Sequence, residues 1–240
     1  MGFGRVPYIY IYHLIYISYE PYFLYFCPLF FALSVTVYAT DATLNTRNLR
    51  VADIAKAEAK AKAIVAGLGQ LCDSTRENVH IVIANRYLEL CAIHNRYDNR
   101  NDSIRALKLP KQKEANAFER SYYNYNNDLY RTRFDFIAWL NFYLTDAQVE
   151  TVKNLMTNNY LFVRYNDFID LLPSLTEAER ERVYHWLVEA REFSMDFLDD
   201  RKMRQMFTKY RGRINNYLAK RGYDLRKATE EQEARKCILK

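Results

Sequence analysis

The stretch Lys209–Asp224, KYRGRINNYLAKRGYD, gathers side chains that could bind a polar ligand. Two tyrosines stand among arginines and asparagines, so aromatic faces lie beside planar hydrogen-bonding groups. Carbohydrate sites combine the same two properties, because a sugar has an apolar face and a rim of hydroxyl groups. A guanidinium would also suit the carboxylate of an acidic sugar. The predicted ligand-binding residues in this stretch are Tyr210, Arg211, Arg213, Asn215, Asn216 and Tyr217.

The same side chains could instead hold helices together. In that case Asn215 and Asn216 would cap or cross-link helices, while Arg211 and Arg213 would pair with the acids of residues 189–196. Charged helices often have this architectural role, and the sequence leaves both interpretations open.

Positive charge is concentrated around this stretch. Residues 201–227 contain ten Lys or Arg and a single acid, Asp224, whereas the formal charge of the whole chain is only +6. The remainder of the chain is therefore slightly acidic. A local positive field of this kind indicates a partner rather than general solubility.

A second cluster precedes the basic stretch. Trp186, Glu189 and Arg191 complete the predicted ligand-binding set as a wall that faces the basic helix. Carboxylates beside an aromatic residue could also serve a glycoside hydrolase, through Glu189, Glu192 or Asp196. Acids one turn apart are common on helix surfaces, so this enzyme is the weaker alternative. We predict no catalytic residues and lean towards a protein that is not an enzyme.

No cofactor and no metal site are predicted. The four cysteines lack the CxxC or His-paired spacing of zinc sites, and no glycine-rich phosphate loop, GxSxG or HExxH motif occurs. His94, on the apolar face of a helix, is expected to be a buried, hydrogen-bonded histidine. The basic helix could meet nucleic acid. An exported protein rarely does, so we expect no nucleic-acid partner.

Residues 1–40 predict export. The apolar run Leu24–Tyr38 is typical of a signal peptide, with small Ala39 at its end. Pro21 and Pro28 interrupt the run and leave too little apolar length for a span of about 20 residues. We therefore predict that residues 1–40 are a signal peptide or a mis-extended leader, that no stable membrane anchor is left after removal, and that the protein is periplasmic or secreted.

The mature chain, residues 41–240, is predicted to be a single all-α domain. Apolar residues recur at steps of three and four without strand-like alternation, which indicates about six to seven helices. Long antiparallel helices are expected to pack as a bundle. Residues 51–68 predict the first helix, and residues 98–111, rich in Asn, Asp and Arg, predict a loop or a frayed helix end.

Three capping boxes and a seam refine this pattern. The boxes begin at Ser74, Thr145 and Thr176, each with Glu or Gln three residues later. In the helix between about residues 113 and 143, apolar side chains lie on two rows seven residues apart and predict a seam against the second helix: Phe118, Tyr122, Tyr125, Leu129, Phe136, Trp139, Leu140 and Tyr143.

The strings AIHNRYD, LPSLTEAERERVYHWLVEARE and KYRGRINNYLAKRGYDLRKA resemble a family of exported bacterial proteins of unknown function. The similarity covers roughly Ala52 to the end of the chain. The family is typical of Gram-negative polysaccharide degraders, and sugar binding has been suggested for it. The resemblance thus implies an exported helical protein and hints at a glycan, but supplies no catalytic residues. The chain departs from the family in its tyrosine-rich leader, in its charged tail, and in DFLDDRKMRQMF, where a Gly/Ser-rich break is expected.

These observations predict an exported, non-catalytic carbohydrate-binding protein whose ligand is a glycan or oligosaccharide, with acidic glycans as one class. The alternative is a periplasmic helical chaperone-like or structural helper protein, because capped amphipathic helices are also typical of small stress chaperones. A glycan-active enzyme is the weaker alternative. The sequence predicts no particular oligomeric state.

Overall fold

The computed structural model describes residues 41–47 and 49–238, which belong to one compact body. The predicted leader cleavage and the fate of residues 1–40 lie outside the described residues. Within them the chain is all-helical, with eight helices and no strand: α1 (Val51–Ala66), α2 (Asp73–Ala106), α3 (Lys111–Tyr143), α4 (Asp146–Met156), α5 (Tyr160–Leu171), α6 (Glu177–Ser194), α7 (Asp200–Lys220) and α8 (Leu225–Ile238).

The all-α prediction is confirmed, and the count is one higher than expected. The additional helix is α8, formed by the charged tail. It is separated from α7 by a turn at Gly222, whose φ of +95° lies in the left-handed region that glycine tolerates. Asp199 marks the break between α6 and α7, where its side chain accepts a hydrogen bond from the Arg201 amide and caps α7.

The bundle prediction is supported only in part, because the helices form two groups with separate cores. Helices α1 to α4 enclose one apolar cluster, which includes Val79, Ile83 and Leu140. Helices α5 to α8 enclose another, which includes Leu187 and Phe207. Helices α4 and α6 contact each other across the two groups. The groups leave a cleft between α3 and the α6–α7 pair, which matters for the site below.

The predicted seam of α3 is correct for some of its residues and wrong for others. Leu129, Phe136 and Leu140 are buried, whereas Tyr122 is 53% exposed and Trp139 is 37% exposed. A straight α-helix has 3.6 residues per turn, so a row of side chains at steps of seven drifts by about 20° per step. The row that begins with Phe118, beneath Arg105 of α2, thus ends with Trp139 partly exposed, whereas Tyr143 in the other row still packs against the core of α1 to α4.

Two of the three predicted capping boxes are confirmed. Thr145 with Gln148 caps α4, and Thr176 with Glu179 caps α6, with both reciprocal hydrogen bonds present. The third prediction is wrong, because α2 begins at Asp73 after Cys72, without a side-chain cap. Ser74 already lies inside the first turn, where its carbonyl accepts a hydrogen bond from the side chain of Asn78.

The predicted loop at residues 98–111 is also wrong over most of its length. Helix α2 continues to Ala106, and only four residues separate it from α3. Asn101 and Ile104 are buried, and the guanidinium of Arg105 lies over the ring of Phe118 at 5.5 Å. Tertiary contacts with α3 therefore keep this stretch helical in spite of its polar composition.

The capping carboxylate of α6 is strongly stabilised in its charged form. Glu179 accepts hydrogen bonds from the Tyr223 hydroxyl (2.7 Å), the Thr176 amide (3.0 Å) and the Arg221 guanidinium (3.2 Å). These hydrogen bonds lower the pKa of Glu179 from 4.5 to about 2. The bond from Tyr223 has the largest effect, and the bond from the Thr176 amide has the second largest. This one side chain thus joins the start of α6 to the turn after α7.

We expect Glu179→Gln to reduce stability in a pH-dependent way. The folded pKa lies below the unfolded one, so the charge stabilises the fold above about pH 4.5, and the contribution is lost as the pH falls towards 2. Glutamine retains the capping box, as Gln148 does in α4. The urea midpoint of the variant should lie below wild type at pH 7 and converge with it near pH 2. Glu177→Gln, exposed in the same turn, is the control. An equal difference at both pH values would contradict this account.

No helix among the described residues combines the length and apolar character needed to cross a membrane. Cys72, Cys91 and Cys237 are free thiols, so Cys72 and Cys91 do not form a disulfide.

Candidate functional site

Five of the nine predicted ligand-binding residues come together where α6 meets α7. The guanidinium of Arg213 lies over the ring of Trp186 at 4.7 Å and binds the carboxylate of Glu189 at 3.0 Å. Tyr217 meets Trp186 edge-on, with ring centroids 5.2 Å apart. Tyr210 is buried and donates its hydroxyl to Glu189, and burial followed by this bond raises the pKa of Tyr210 to about 12.

The other four predicted residues do not join this cluster. Arg211 and Asn216 are exposed and Asn215 is half-buried, and none of the three makes an ion pair or side-chain hydrogen bond within the described chain. Arg191 is buried on another face of α6, where it binds the Asn154 side chain at 2.8 Å and the Glu150 carboxylate at 2.8 Å. Arg191 therefore links α6 to α4 and is not accessible to a ligand.

Some of the basic side chains hold helices together through ion pairs, as the second interpretation of this stretch predicted. Arg213 pairs with Glu189, Arg221 with Glu179, and Arg204 with Asp200. These pairs remove a part of the local positive field. Arg211 does not make the pair with residues 189–196 that this interpretation assigned to it.

The three acids that sequence analysis considered for catalysis are each bound to cations. Glu189 pairs with Arg213, and Glu192 pairs with Arg191 at 2.7 Å. Asp196 lies beyond the end of α6, 4% exposed, between two guanidinium groups. Helix α6 ends at Ser194, so Glu192 and Asp196 do not share a helix face as the sequence spacing suggested.

A cleft of about 660 Å³ lies between α3 and the α6–α7 pair, and we call it the aromatic cleft. Tyr210 is the one predicted residue that lines it. The remaining lining is mainly aromatic on both sides and carries amides and cations: Tyr122, Tyr125, Asn126, Asn127, Leu129, Tyr130, Arg133, Phe193, Asp196, Phe197, Met206 and Lys209.

The aromatic cleft exposes ring faces to solvent. Tyr122 is 53% exposed, Tyr130 is 61% exposed and Phe193 is 44% exposed. Large aromatic side chains are usually withdrawn from water, so three exposed rings in one cleft make it a candidate binding surface. Lys209 is also exposed and makes no ion pair among the described residues. The cleft thus offers stacking surfaces beside a free cation.

The floor of the aromatic cleft is a buried charge network. Asp196 accepts hydrogen bonds from Arg86 at 2.8 Å and from Arg133, and its backbone carbonyl lies 2.8 Å from Nε2 of His94. Nδ1 of His94 in turn lies 3.2 Å from the hydroxyl of Tyr125, whose pKa burial raises. His94 is hydrogen-bonded as predicted, but it is half-buried rather than buried. Arg86 also pairs with Glu89 at 3.0 Å, so two carboxylates face the two guanidinium groups of this network.

The α3 side of this cleft was not predicted from the sequence. The run SYYNYNNDLYR, residues 121–131, alternates tyrosines with amides, and its apolar rows predicted contact with α2. Tyr125 and Leu129 do contact that side, whereas Tyr122 and Tyr130 face the cleft. The density of Tyr and Asn was the available signal, because a helix that only fills a core does not need so many amides.

Among residues 41–47 and 49–238, no group of three or more His, Cys, Asp or Glu is placed to hold a metal ion. Among curated proteins no match to the chain is found. Residues 54–237, three quarters of the chain, match the family described as "Protein of unknown function (DUF3826)". The chain therefore belongs to the DUF3826 family of proteins of unknown function.

Proposed function

We propose that this protein is an exported bacterial carbohydrate-binding protein and that the aromatic cleft binds the glycan. The observation that carries the proposal is the exposure of Tyr122, Tyr130 and Phe193 in one cleft beside amide and cationic side chains. Sugar rings stack on aromatic faces, and amides such as those of Asn126 and Asn127 both donate to and accept from hydroxyl groups.

The charges of the cleft favour acidic glycans. Lys209 is free at the rim, and Arg133 shares Asp196 with a second guanidinium on the floor. The carboxylate of a uronic acid would find a partner in Lys209, which makes no ion pair among the described residues. Binding of such a glycan should weaken as the salt concentration rises, because the attraction of an exposed lysine is screened.

Export to the periplasm or beyond the cell is part of the same proposal. It is supported by the apolar, proline-interrupted sequence of residues 1–40 and by the family resemblance of the sequence. A glycan-binding protein made by a polysaccharide degrader would meet its ligand in those compartments.

We expect Tyr130→Ala to weaken glycan binding by about tenfold or more, because it removes an exposed stacking face from the lining of the cleft. Lys209→Ala should weaken binding of acidic glycans and leave neutral ones unchanged. The measurement is a glycan array with neutral and acidic polysaccharides, followed by titration calorimetry on the ligands found.

Matched controls exist on the same helices. Tyr123→Ala removes a tyrosine that is 63% exposed on α3 but lies outside the cleft lining, and Lys202→Ala removes an exposed lysine of α7. Both should bind as wild type does. Trp186→Ala examines the α6–α7 cluster separately. A blank array for the wild-type protein would contradict the proposal, and so would equal losses for Tyr130→Ala and Tyr123→Ala.

A helper protein that holds unfolded chains is the second candidate, because the same exposed rings could bind apolar segments. It predicts that the protein suppresses aggregation of an unrelated unfolded client and that Tyr130→Ala reduces this effect. Carbohydrate binding predicts no such suppression. The earlier alternative of catalysis by Glu189, Glu192 or Asp196 is not part of the proposal, since each of these acids is bound to a cation.

A further inference from the structure

The positive charge of α7 continues beyond the aromatic cleft, along the line where α6 packs against α7. Lys209 lines the cleft, and Arg213, Tyr217 and Lys220 follow it at steps of four, four and three residues. Residues at these steps lie on one side of a helix. This row of side chains therefore starts at the cleft and runs from it towards the end of α7.

Helix α6 contributes a second row, which also starts at the cleft. Its members lie at steps of four, three and four residues, in reverse order along the chain: Phe193, Glu189, Trp186 and Arg182. The two helices run in opposite directions, because Glu189 pairs with Arg213 and, further from the cleft, Glu179 pairs with Arg221. The rows thus run side by side, and we call the surface that they form the α6–α7 track.

Trp186 holds two guanidinium groups between the ends of the track. The guanidinium of Arg213 lies over the Trp186 ring at 4.7 Å from its centroid, and that of Arg182 lies over it at 5.7 Å. The attraction between a cation and an aromatic ring orders a side chain that would otherwise sample many rotamers. Less conformational entropy is therefore lost when a ligand binds these two groups.

Most cations of the track have no carboxylate partner. Arg182, Lys209 and Lys220 are exposed and make no ion pair within the described part of the chain. The one acid of the two rows, Glu189, is bound by Arg213 at 3.0 Å. Its charge is thus matched inside the protein, and the track keeps an excess of positive charge that faces solvent.

The unpaired cations are too far apart for a single carboxylate. Lys209 and Lys220 are eleven residues apart on one helix, which separates them by about 17 Å along its axis at about 1.5 Å per residue. A sugar with one charged group would reach only one of them. An extended chain with a carboxylate on successive sugar units would reach both, and also the guanidinium groups beside Trp186.

We propose that the ligand is a linear polyuronate, with some of its sugar units in the aromatic cleft and the following units along the α6–α7 track. The inference rests on the proposed function, because the first units are those that the aromatic cleft binds. It adds an extended subsite in which Arg182 and Lys220 bind carboxylates of the chain. Neither residue lines the aromatic cleft, so the two parts of the site can be tested separately.

Single-stranded nucleic acid also carries regularly spaced negative charge, but it binds by stacking its bases on aromatic rings. The ring of Trp186 is half-buried and lies beneath guanidinium groups. The track therefore favours a charged chain without bases.

Binding should tighten with the length of the uronate chain. The probes are oligogalacturonates and oligomannuronates from disaccharides to decasaccharides, with maltooligosaccharides of the same lengths as neutral controls, and titration calorimetry measures the dissociation constants. We expect the dissociation constant of the oligouronates to fall by about tenfold or more from the shortest to the longest chain, because only long chains reach the track. The neutral series should not show this fall.

The outer end of the track is tested by removing its cations. The double variant Arg182→Ala, Lys220→Ala should bind long oligouronates about tenfold more weakly than wild type and should bind the disaccharides equally well. Arg211→Ala is the matched control. Arg211 is exposed and unpaired among the described residues of α7, but it lies two residues from Arg213 and therefore on another side of the helix. This variant should bind as wild type does.

Thermal unfolding of each variant separates loss of binding from loss of the fold. Equal dissociation constants for short and long oligouronates would overturn the inference, as would equal losses for the double variant and Arg211→Ala, or no binding of any oligouronate. Tighter binding of an oligothymidylate than of an oligouronate of the same length would assign the track to nucleic acid and would also overturn it. Binding of glycans that Tyr130→Ala weakens, without a gain from chain length, would overturn the track alone. Length-dependent binding that Tyr130→Ala leaves unchanged would overturn the role of the aromatic cleft alone.

Discussion

Replacement of Asp196 by alanine is expected to lower the free energy of unfolding by about 3–5 kcal/mol. Asp196 is 4% exposed and is the carboxylate shared by Arg86 and Arg133, of which Arg86 is equally buried. Its removal leaves the buried guanidinium of Arg86 with a single carboxylate partner, the partly exposed Glu89. The solvation lost by a buried charge is not recovered when its partner is deleted. Chemical denaturation with linear extrapolation measures the difference.

The matched control is Asp128→Ala. Asp128 pairs with Arg96 at 3.0 Å, a distance similar to that between Asp196 and Arg86, but the two side chains are 36% and 64% exposed. Exposed ion pairs contribute about 0–1 kcal/mol, so this variant should remain close to wild type. Similar losses for the two aspartates would show that burial does not set the energy of the Asp196 network.

Replacement of Leu187 by alanine is expected to lower the free energy of unfolding by about 2–5 kcal/mol. Leu187 is fully buried in α6, at the centre of the core formed by α5 to α8. The substitution removes three carbon atoms from close packing and leaves a cavity that the surrounding helices fill only in part. The same denaturation experiment measures the change.

Leu107→Ala provides the same chemical change in a different environment. Leu107 follows the end of α2 and is 65% exposed, so it should cost less than about 0.5 kcal/mol. A comparison of the two variants isolates the contribution of burial from that of the amino acid. A loss of less than about 1 kcal/mol for Leu187→Ala would contradict the position of this residue in the core.

Local sequence patterns were sufficient for those helix ends whose hydrogen bonds are local. Thr145 and Thr176 cap their helices with the residue three positions later, and Gly222 ends the turn after α7, because these contacts involve only near neighbours in the chain. The prediction of a helix end failed where contacts with residues distant in the sequence determine the structure. The polar stretch after Asn99 stays helical because Asn101 and Ile104 are buried.

The residues of the candidate site also fall into those that the sequence placed correctly and those that it did not. Trp186 and Arg213 could be placed together from the sequence, because α6 and α7 are consecutive helices joined by a short turn. Arg191 was assigned to the same wall, but it points to α4, and a sequence does not show which of several acidic helices a guanidinium will meet. The positions of Tyr122 and Tyr130 in the aromatic cleft could not be predicted from the sequence, because they depend on which face α3 turns towards α6 and α7.

The sequence by itself determined that this is an all-α member of its family, where several helices begin, and which stretch is basic. These properties follow from the 3.6-residue period, from capping chemistry and from composition, which all act over a few residues. Only the tertiary structure decided which faces of α3 border clefts and which charges are neutralised inside. Arg86 and Thr132, which share a hydrogen bond, are 46 positions apart in the sequence. Their proximity depends on the packing of α2 against α3, so it is fixed only when the chain folds.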